Sequence, residues 1–377
     1  MHILHLPKWY PNHEDPQLGV FVQKQFEAAS KFAFQSLIYV KSEIDQEEDF
    51  KIEERKGENF LELSIYYKRP RSRAKQYLQI RKAYNMGLEI IEKQHSEVSL
   101  VHVHNLLGPA VFGDKLASKR KIPWVLSEHW SGFTPQRPLF KEKVAWEKKL
   151  WQWYAEKAEC TIAVSSFLKN ALEENKIGKK VIVIPNVVED IAPAKVEEGV
   201  ARILMVNDLD DDVKNISSVL QAYAELGLQE KGIRLDIIGG GKDEQALRKL
   251  SLELHIDEGV HWHGRMANDE VLPFYQKATY VLVNSRVETF SVVAAEALMA
   301  GKPVISTRCG GGEEFLNEKC AILIAADNQQ ELKEAILSMN TNFKNYDPQK
   351  LHDYAVSLFS KENVGKKMHE LYSSLLQ

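Results

Sequence analysis

Residues 288–314 read ETFSVVAAEALMAGKPVISTRCGGGEE, and the order of residue types in that stretch decides the fold. The pattern predicts a helix that starts at Thr289-Phe290-Ser291, runs through Ala297-Leu298-Met299-Ala300 and stops at Gly301, a natural left-handed cap. Lys302-Pro303 separates it from Val304-Ile305-Ser306-Thr307, a run suited to a buried strand, and Gly310, Gly311 and Gly312 follow. A helix start presents free backbone N–H groups and the positive end of a dipole, which together suit a phosphate. Glu288 stands just before that start and Glu296 two turns inside it, where carboxylates suit the hydroxyls of a sugar. The combination points to a nucleotide sugar as ligand.

Outward from this stretch the same alternation continues. Short apolar runs interleaved with longer helical patterns read as βα units and parallel sheets. In the first half the expected strands lie at 3–6, 35–40, 100–104, 123–127, 160–164 and 181–184. In the second they lie at 201–206, 234–238, 260–263, 280–284, 304–306 and 321–324. A chain of 377 residues is long for one core. The stretch 187–200, with Pro193, scattered acids and little periodicity, reads as a linker. The expected domains are therefore 1–188 and 200–360, followed by a final helix over 361–377.

The bulk numbers exclude some classes. Formal charge is −4, from 49 Lys+Arg against 53 Asp+Glu, so no global field argues for nucleic acid. The N-terminal half is mildly basic and the C-terminal half acidic. Cys160, Cys309 and Cys320 form no C-x-x-C pair, a pattern of a reduced, cytoplasmic protein. The opening Met1-His2-Ile3-Leu4-His5-Leu6 is too short for a signal-peptide core and ends at Pro7-Lys8. No apolar run approaches the roughly 20 residues of a membrane helix.

The 288–314 stretch, with Ser285 before it, resembles the signature of the family 4 glycosyltransferases, retaining enzymes of the GT-B fold, and the rest of the chain agrees with that resemblance end to end. The resemblance implies an α/β architecture of two Rossmann-like, doubly wound domains facing across a cleft, with ligands at the carboxyl ends of the strands. The final helix would pack back on the first domain. The implied reaction moves a sugar from a nucleoside diphosphate sugar to an acceptor hydroxyl with retention, in surface-polysaccharide or glycolipid assembly, with no metal or cofactor.

Residue by residue, the resemblance implies that Glu288 contacts the donor's sugar and Glu296 the ribose diol. His129, in Ser127-Glu128-His129-Trp130, matches a histidine that contacts the same sugar. Gly19, after the first strand, resembles the family's glycine loop, where a donor-phosphate or an acceptor-side role stays open. His263-Gly264-Arg265 resembles the loop where the nucleobase lies, which makes Arg265 a base contact. Lys214 matches the lysine that stabilises the donor's pyrophosphate. One position departs: where the family usually carries glycine-arginine-leucine, this chain has Asn207-Asp208-Leu209. Losing that cation should cost the leaving group on the order of a few kcal/mol unless another, such as Arg265 or Lys242, replaces it.

Other features read more plainly. His102 and His104, with His129 and Glu128, do not have the spacing of one local zinc site, and His102 and His104 read as structural. Asp208, Asp210, Asp211 and Asp212 read as a solvated loop rather than a metal site. Gly239-Gly240-Gly241 makes a tight strand-to-helix turn. Residues 68–82 hold a dense basic run, Lys68-Arg69-Pro70-Arg71-Ser72-Arg73-Ala74-Lys75 with Arg81-Lys82, interleaved with Tyr77. It suits either a solvated face or peripheral contact with the anionic inner face of the plasma membrane, and so a lipid-linked acceptor. Trp146, Trp151, Trp153 and Tyr154 add aromatics to which core packing applies equally. Two rivals to transfer are a nucleotide-sugar epimerase of the same fold and a silent nucleotide-sugar-binding relative.

Overall fold

A computed structural model describes residues 1–43, 47–195 and 201–377. The part of the expected linker at 196–200 lies outside the described residues. The chain divides into two compact units, Met1–Val187 with Lys361–Gln377, and Val188–Ser360.

In chain order the first unit contains β1 (His2–Pro7), α1 (Val20–Ser30), β2 (Phe34–Glu43), β3 (Phe50–Gly57), β4 (Phe60–Lys68), α2 (Arg73–Gln94), β5 (Leu100–His104), α3 (Pro109–Arg120), β6 (Trp124–Glu128), α4 (Ala145–Lys157), β7 (Thr161–Ala163), α5 (Ser166–Glu174) and β8 (Val181–Val183). Its sheet runs β3-β4-β2-β1-β5-β6-β7-β8. All neighbours are parallel except the hairpin β3/β4. That hairpin is absent from the sequence reading. β4 is buried from Leu61 to Tyr67 although Glu62 and Ser64 interrupt its apolar residues, and β3 is mostly exposed or half-buried and charged and gives no apolar run.

The second unit contains β9 (Arg202–Val206), α6 (Asp211–Lys214), α7 (Ile216–Glu225), β10 (Arg234–Ile238), α8 (Glu244–Glu253), β11 (Val260–Gly264), α9 (Asn268–Lys277), β12 (Tyr280–Val283), α10 (Val292–Met299), β13 (Val304–Thr307), β14 (Ala321–Ile324), α11 (Gln329–Asn342) and α12 (Pro348–Phe359). Its sheet is wholly parallel, β11-β10-β9-β12-β13-β14. Its inner strands β9, β10, β12 and β13 are largely buried and rich in Val, Ile and Leu, as parallel strands under two helical layers must be, whereas the edge strand β11, Val-His-Trp-His-Gly, is half-buried. Ile203, Met205, Leu235, Ile237, Leu282 and Ile305 form the centre of that core.

The last helix, α13 (Lys361–Leu375), belongs to the first unit. Val364, Met368 and Tyr372 bury against Ala28 and Ala29 of α1 and against Ile3, Leu100 and Val125. Burying a Val or Met side chain is worth about 1.5–3 kcal/mol, so this helix contributes to the first core rather than decorating it.

Both sheets reverse their strand order at one place. In the first, β1 is flanked by β2 and β5; in the second, β9 is flanked by β10 and β12. In doubly wound sheets ligands bind outside the carboxyl ends of the strands at this reversal. The residues there are Lys8 and Asn105 in the first unit, and Asn207 and Asn284 in the second.

Candidate active site

The second unit brings Glu288, Lys214 and Ser285 together at the reversal of its sheet. Glu288 Oε1 accepts from Lys214 Nζ at 2.5 Å and from Ser285 Oγ at 2.7 Å. Lys214 ends the single turn α6, and Ser285 follows β12 by two residues. Burial opposes the Lys214 charge, but the carboxylate of Glu288 outweighs it and the pKa is raised, so the ammonium stays charged. Oε2 of Glu288 has no hydrogen-bond partner among the described residues.

The backbone that carries Glu288 is clamped. Its N–H donates to Cys309 O at 2.9 Å, and its carbonyl accepts from Gly311 N at 2.8 Å. Gly311 is needed there, because a Cβ would stand 2.0 Å from the Thr289 carbonyl oxygen. Glu288 pairs with Gly310 as an isolated bridge and Thr289-Phe290 bend away from it, so α10 starts at Val292 and not at Thr289. Ser291 caps it with φ 66. Phe290 is corrected as well: its ring is buried against Phe315 and Phe359, at 5.6 and 5.3 Å between centroids. Apolar burial claims that side chain, which leaves only its backbone for a ligand. Thr289 is half-buried beside it, and the Ser291 hydroxyl is buried without a partner among the described residues.

Glu296, on the second turn of α10, accepts from the Tyr275 hydroxyl at 2.8 Å. Burial pushes the Tyr275 phenol well above its ordinary pKa, so it remains a donor that orients the carboxylate. Arg286 is a further residue that sequence reasoning missed. It bonds the Asp211 carbonyl at 2.7 Å, Asn215 Oδ1 at 2.9 Å and Asp327 Oδ1 at 2.7 Å, and so fixes the turn that carries Lys214. Position alone could have flagged both: each lies close to a quoted motif, but nothing local names its partner.

At the departure from the family pattern, Asp208 Oδ1 lies 3.5 Å from Arg265 Nη2, and the same nitrogen donates to Gly240 O at 3.4 Å. A guanidinium from the loop after β11 thus stands beside the position where the family's arginine would be. Lys242 is occupied differently, between Asp210 at 3.1 Å and Asp212 at 2.9 Å.

The first unit places Gly19, His129 and Glu128 near the reversal of its own sheet. Gly19 caps α1 with φ 69, and a Cβ there would lie 2.3 Å from the Trp9 carbonyl oxygen, so the loop after β1 tolerates no side chain. His129 is buried against Phe21, with 4.4 Å between ring centroids, and neither ring nitrogen has a partner among the described residues. Burial pulls its pKa to about 3, so the ring is neutral. Burial pushes Glu128 up to about 7, against the pull of the Leu106 N–H it accepts at 2.5 Å.

His5, His102 and His104 crowd together in the sheet, with candidate ligand atoms within 4.8 Å of one another. Their geometry is that of a hydrogen-bond network. The His102 and His104 rings stack at 4.0 Å, which sets their in-plane lone pairs side by side rather than converging. His102 spends both nitrogens, on Tyr372 Oη and Ser127 Oγ at 2.7 Å each.

Of the basic and aromatic segment, Trp151 is buried with Phe133 and Phe140, whereas Trp146 and Trp153 of the same helix α4 are 68% and 50% exposed. Tyr77 and Leu78 of α2 are exposed too. Among the described residues no helix is long and apolar enough to cross a membrane.

Two family models cover most of the chain: Glycosyltransferase Family 4 over residues 47–190 and Glycosyl transferases group 1 over residues 186–355. An uncharacterised glycosyltransferase of Methanocaldococcus jannaschii is 27% identical over 69% of this chain and 70% of its own. The alpha-monoglucosyldiacylglycerol synthase of Streptococcus pneumoniae is 22% identical over 77% of this chain and 69% of its own. Among solved structures, the sucrose-phosphate synthase of Thermosynechococcus elongatus superposes with a TM-score of 0.75 at 18% identity, covering 100% of this chain and 99% of that one. Anabaena HepE in complex with UDP superposes with a TM-score of 0.74 at 16% identity, covering 99% and 100%. At such identities the structures speak for the fold, and the sequence matches speak for the activity: the chain belongs to the family 4 glycosyltransferases and is a glycosyltransferase of the GT-B fold.

Proposed function

We propose that this glycosyltransferase takes its sugar from a nucleoside diphosphate sugar, retains the anomeric configuration, works without a metal, and delivers to a carbohydrate or lipid-linked acceptor at an anionic membrane surface. The observation that carries the reading is the Lys214–Glu288–Ser285 cluster at the strand reversal of the second sheet. A charged ammonium there suits the departing diphosphate, and the free Oε2 of Glu288 suits a hydroxyl of the transferred sugar.

The other roles are those the family resemblance implies, and the chemistry of the residues suits them. Arg265, held by Asp208, supplies the second cation on the pyrophosphate in place of the family's arginine, a role beyond the base contact that its loop implies. Glu296, oriented by Tyr275, takes the ribose diol. The backbone of Thr289, Phe290 and Ser291 and that of Gly19 approach phosphate, and His129 orients the sugar. No side chain is assigned as a nucleophile. In a front-face step the bond from the anomeric carbon to the diphosphate oxygen breaks, the bond to the acceptor oxygen forms on the same face, and the leaving phosphate oxygen takes the acceptor proton.

The acceptor side rests on two supports. One is the name of the Streptococcus relative, a glycolipid synthase. The other is the exposed Trp146, Trp153, Tyr77 and Leu78 in the unit that carries Arg71, Arg73, Lys75, Arg81 and Lys82. Aromatics sit at headgroup level, and each basic residue near an anionic leaflet contributes about 1 kcal/mol.

A thermal-shift screen with UDP, GDP, ADP and dTDP, each with and without EDTA, tests the donor site. A nucleotide at a hundred times its dissociation constant adds about 2.7 kcal/mol of stability. A shift with one nucleotide that survives EDTA is expected. No shift with any of the four would refute the donor reading, and a shift abolished by EDTA would refute its metal independence.

A further inference from the structure

Ser165, Asn328 and Asp347 cap their helices in the ordinary way. Each holds extended backbone, and each side chain accepts from an amide of the first turn: Leu168 N–H at 3.0 Å, Glu331 N–H at 3.1 Å and Gln349 N–H at 3.0 Å. Ser291 holds the same position before α10 and does otherwise. Its backbone is left-handed, with φ 66 and ψ 68, and its side chain makes no capping bond. The residue is 3% exposed, and its hydroxyl oxygen is buried without a hydrogen-bond partner among the described residues. Among the same residues the N–H groups of Val292, Val293 and Ala294 are open as well, since the first bond of the helix runs from Ala295 N to Ser291 O at 3.2 Å.

Two penalties therefore fall on one residue. A side chain on left-handed backbone is strained, and a buried hydroxyl without a partner has given up its hydrogen bonds to water. Glycine at position 291 would remove both. Buried polar groups are nearly always satisfied, so a hydroxyl kept under these conditions at a ligand-binding edge points to a partner from outside the chain.

The neighbouring groups decide which partner. Three open amides and the positive end of the α10 dipole meet at the start of this helix, and both favour an anion. Glu288, three residues ahead, is bound to the Lys214 ammonium at 2.5 Å, so the one carboxylate on this approach is already matched by a cation. A hydroxyl that does not bond the amides of its own helix is free to donate, and an anionic oxygen is the strongest acceptor it can meet.

We infer that the Ser291 hydroxyl donates a hydrogen bond to a phosphate oxygen of the donor's diphosphate, seated on the open amides of α10. The inference rests on the donor reading above, in which only the backbone of Ser291 meets phosphate, and it makes the side chain a phosphate-binding residue. Every group it uses belongs to the second unit. It also fixes the sign of a trade-off: the hydroxyl serves the ligand and not the fold.

The test compares wild type, Ser291→Gly and Ser291→Ala. The ligands are the nucleoside diphosphate that shifts wild type in the screen of UDP, GDP, ADP and dTDP, and the nucleoside of the same base. Calorimetry gives the affinity for the diphosphate, competition that for the nucleoside, and a melting curve the stability of the ligand-free protein. Ser291→Gly should melt no lower than wild type, because glycine suits the left-handed backbone. Both variants should bind the diphosphate at least about tenfold more weakly, as loss of one hydrogen bond to a charged group does, and the nucleoside as wild type does.

Unchanged affinity for the diphosphate in both variants would assign the hydroxyl to an internal water and overturn the inference while leaving the donor reading intact. An equal loss on diphosphate and nucleoside, or a loss in Ser291→Gly that Ser291→Ala does not share, would overturn it too, the second by assigning the effect to the backbone. Failure of wild type to bind any of the four diphosphates would overturn both. If the variants do not fold, a crystal structure of wild type with the diphosphate decides. Ser291 Oγ should lie within hydrogen-bond distance of a phosphate oxygen, and a water in that place would refute the proposal.

Discussion

Lowering the pH from neutrality should unfold the first unit of this glycosyltransferase through its histidines. His5, His102, His104 and His129 are buried and neutral, with His5 held near 4, His129 near 3 and the other two well below the ordinary value, in every case chiefly by burial. A base whose pKa is lowered in the folded state stabilises fully above its unfolded value, near 6.5, and loses that contribution as the pH falls. Glu128 acts in the opposite sense. Burial raises it to about 7, so between there and its unfolded value of 4.5 the folded chain holds a proton that the unfolded chain lacks. At pH 5.5 each histidine takes up about 0.9 of a proton on unfolding and Glu128 releases about the same, a net uptake of nearly three. The slope is then about 4 kcal/mol per pH unit, and about 5 kcal/mol is lost between pH 6.5 and 5, a large share of a typical domain's stability. Urea titrations at fixed pH, followed by tryptophan fluorescence, measure it, because Trp9, Trp124, Trp130, Trp146, Trp151 and Trp153 all lie in the first unit. Glu128→Gln, which still accepts from the Leu106 N–H, should steepen the slope to about 5 kcal/mol per pH unit. A wild-type slope below about 1 kcal/mol per pH unit would show that these rings are charged or hydrated in the folded protein and refute the reasoning.

Four other outcomes are expected. Glu288→Gln should abolish transfer while the urea midpoint stays close to wild type; near-normal turnover would remove Glu288 from the sugar site. Lys214→Met should lower kcat by about 100- to 1,000-fold, as loss of one charge-stabilising donor does, with a smaller change in KM. Arg265→Ala should weaken nucleotide diphosphate binding, and Asp208→Arg placed in that background should restore it, as measured by calorimetry; a double variant no better than the single one would dismiss Arg265 as the substitute cation. Replacing Trp146 and Trp153 together by Ser should cut binding to vesicles containing anionic lipid in a sedimentation assay and spare the thermal stability, since both side chains are exposed.

What could be read in advance was what is local. The βα alternation, the parallel strands and the Glu288 segment announce themselves within a dozen residues each, because burial on both faces of a strand leaves an unbroken apolar run. The start of α10 was misplaced because the bridge that holds Glu288, just before it, is made by Gly310 and Gly311, about twenty residues on. Phe290 looked available for the same reason: its partners Phe315 and Phe359 are distant in sequence. The hairpin of β3 and β4 escaped notice because an exposed edge strand carries charge instead of an apolar pattern. The partner of Asp208 was legible only as a candidate, since a cation supplied by a neighbouring loop leaves no mark at the position it replaces.

The placement of α13 has a consequence for how the protein is made. A ribosome releases the chain from its N-terminus, yet Val364, Met368 and Tyr372, which complete the first core, appear only after the whole second unit. At about 5–20 residues per second, the first unit waits roughly 10–40 seconds after its own strands have emerged before it can close. During that interval the faces of Ala28, Ile3, Leu100 and Val125 lack their cover, and His102 lacks the Tyr372 hydroxyl. The second unit, by contrast, is contiguous and can fold as soon as residue 360 clears the exit tunnel. The unit synthesised first is thus the one that finishes last, and a nascent chain stalled before the final helix would present chaperones and proteases with an open N-terminal half beside a finished C-terminal one.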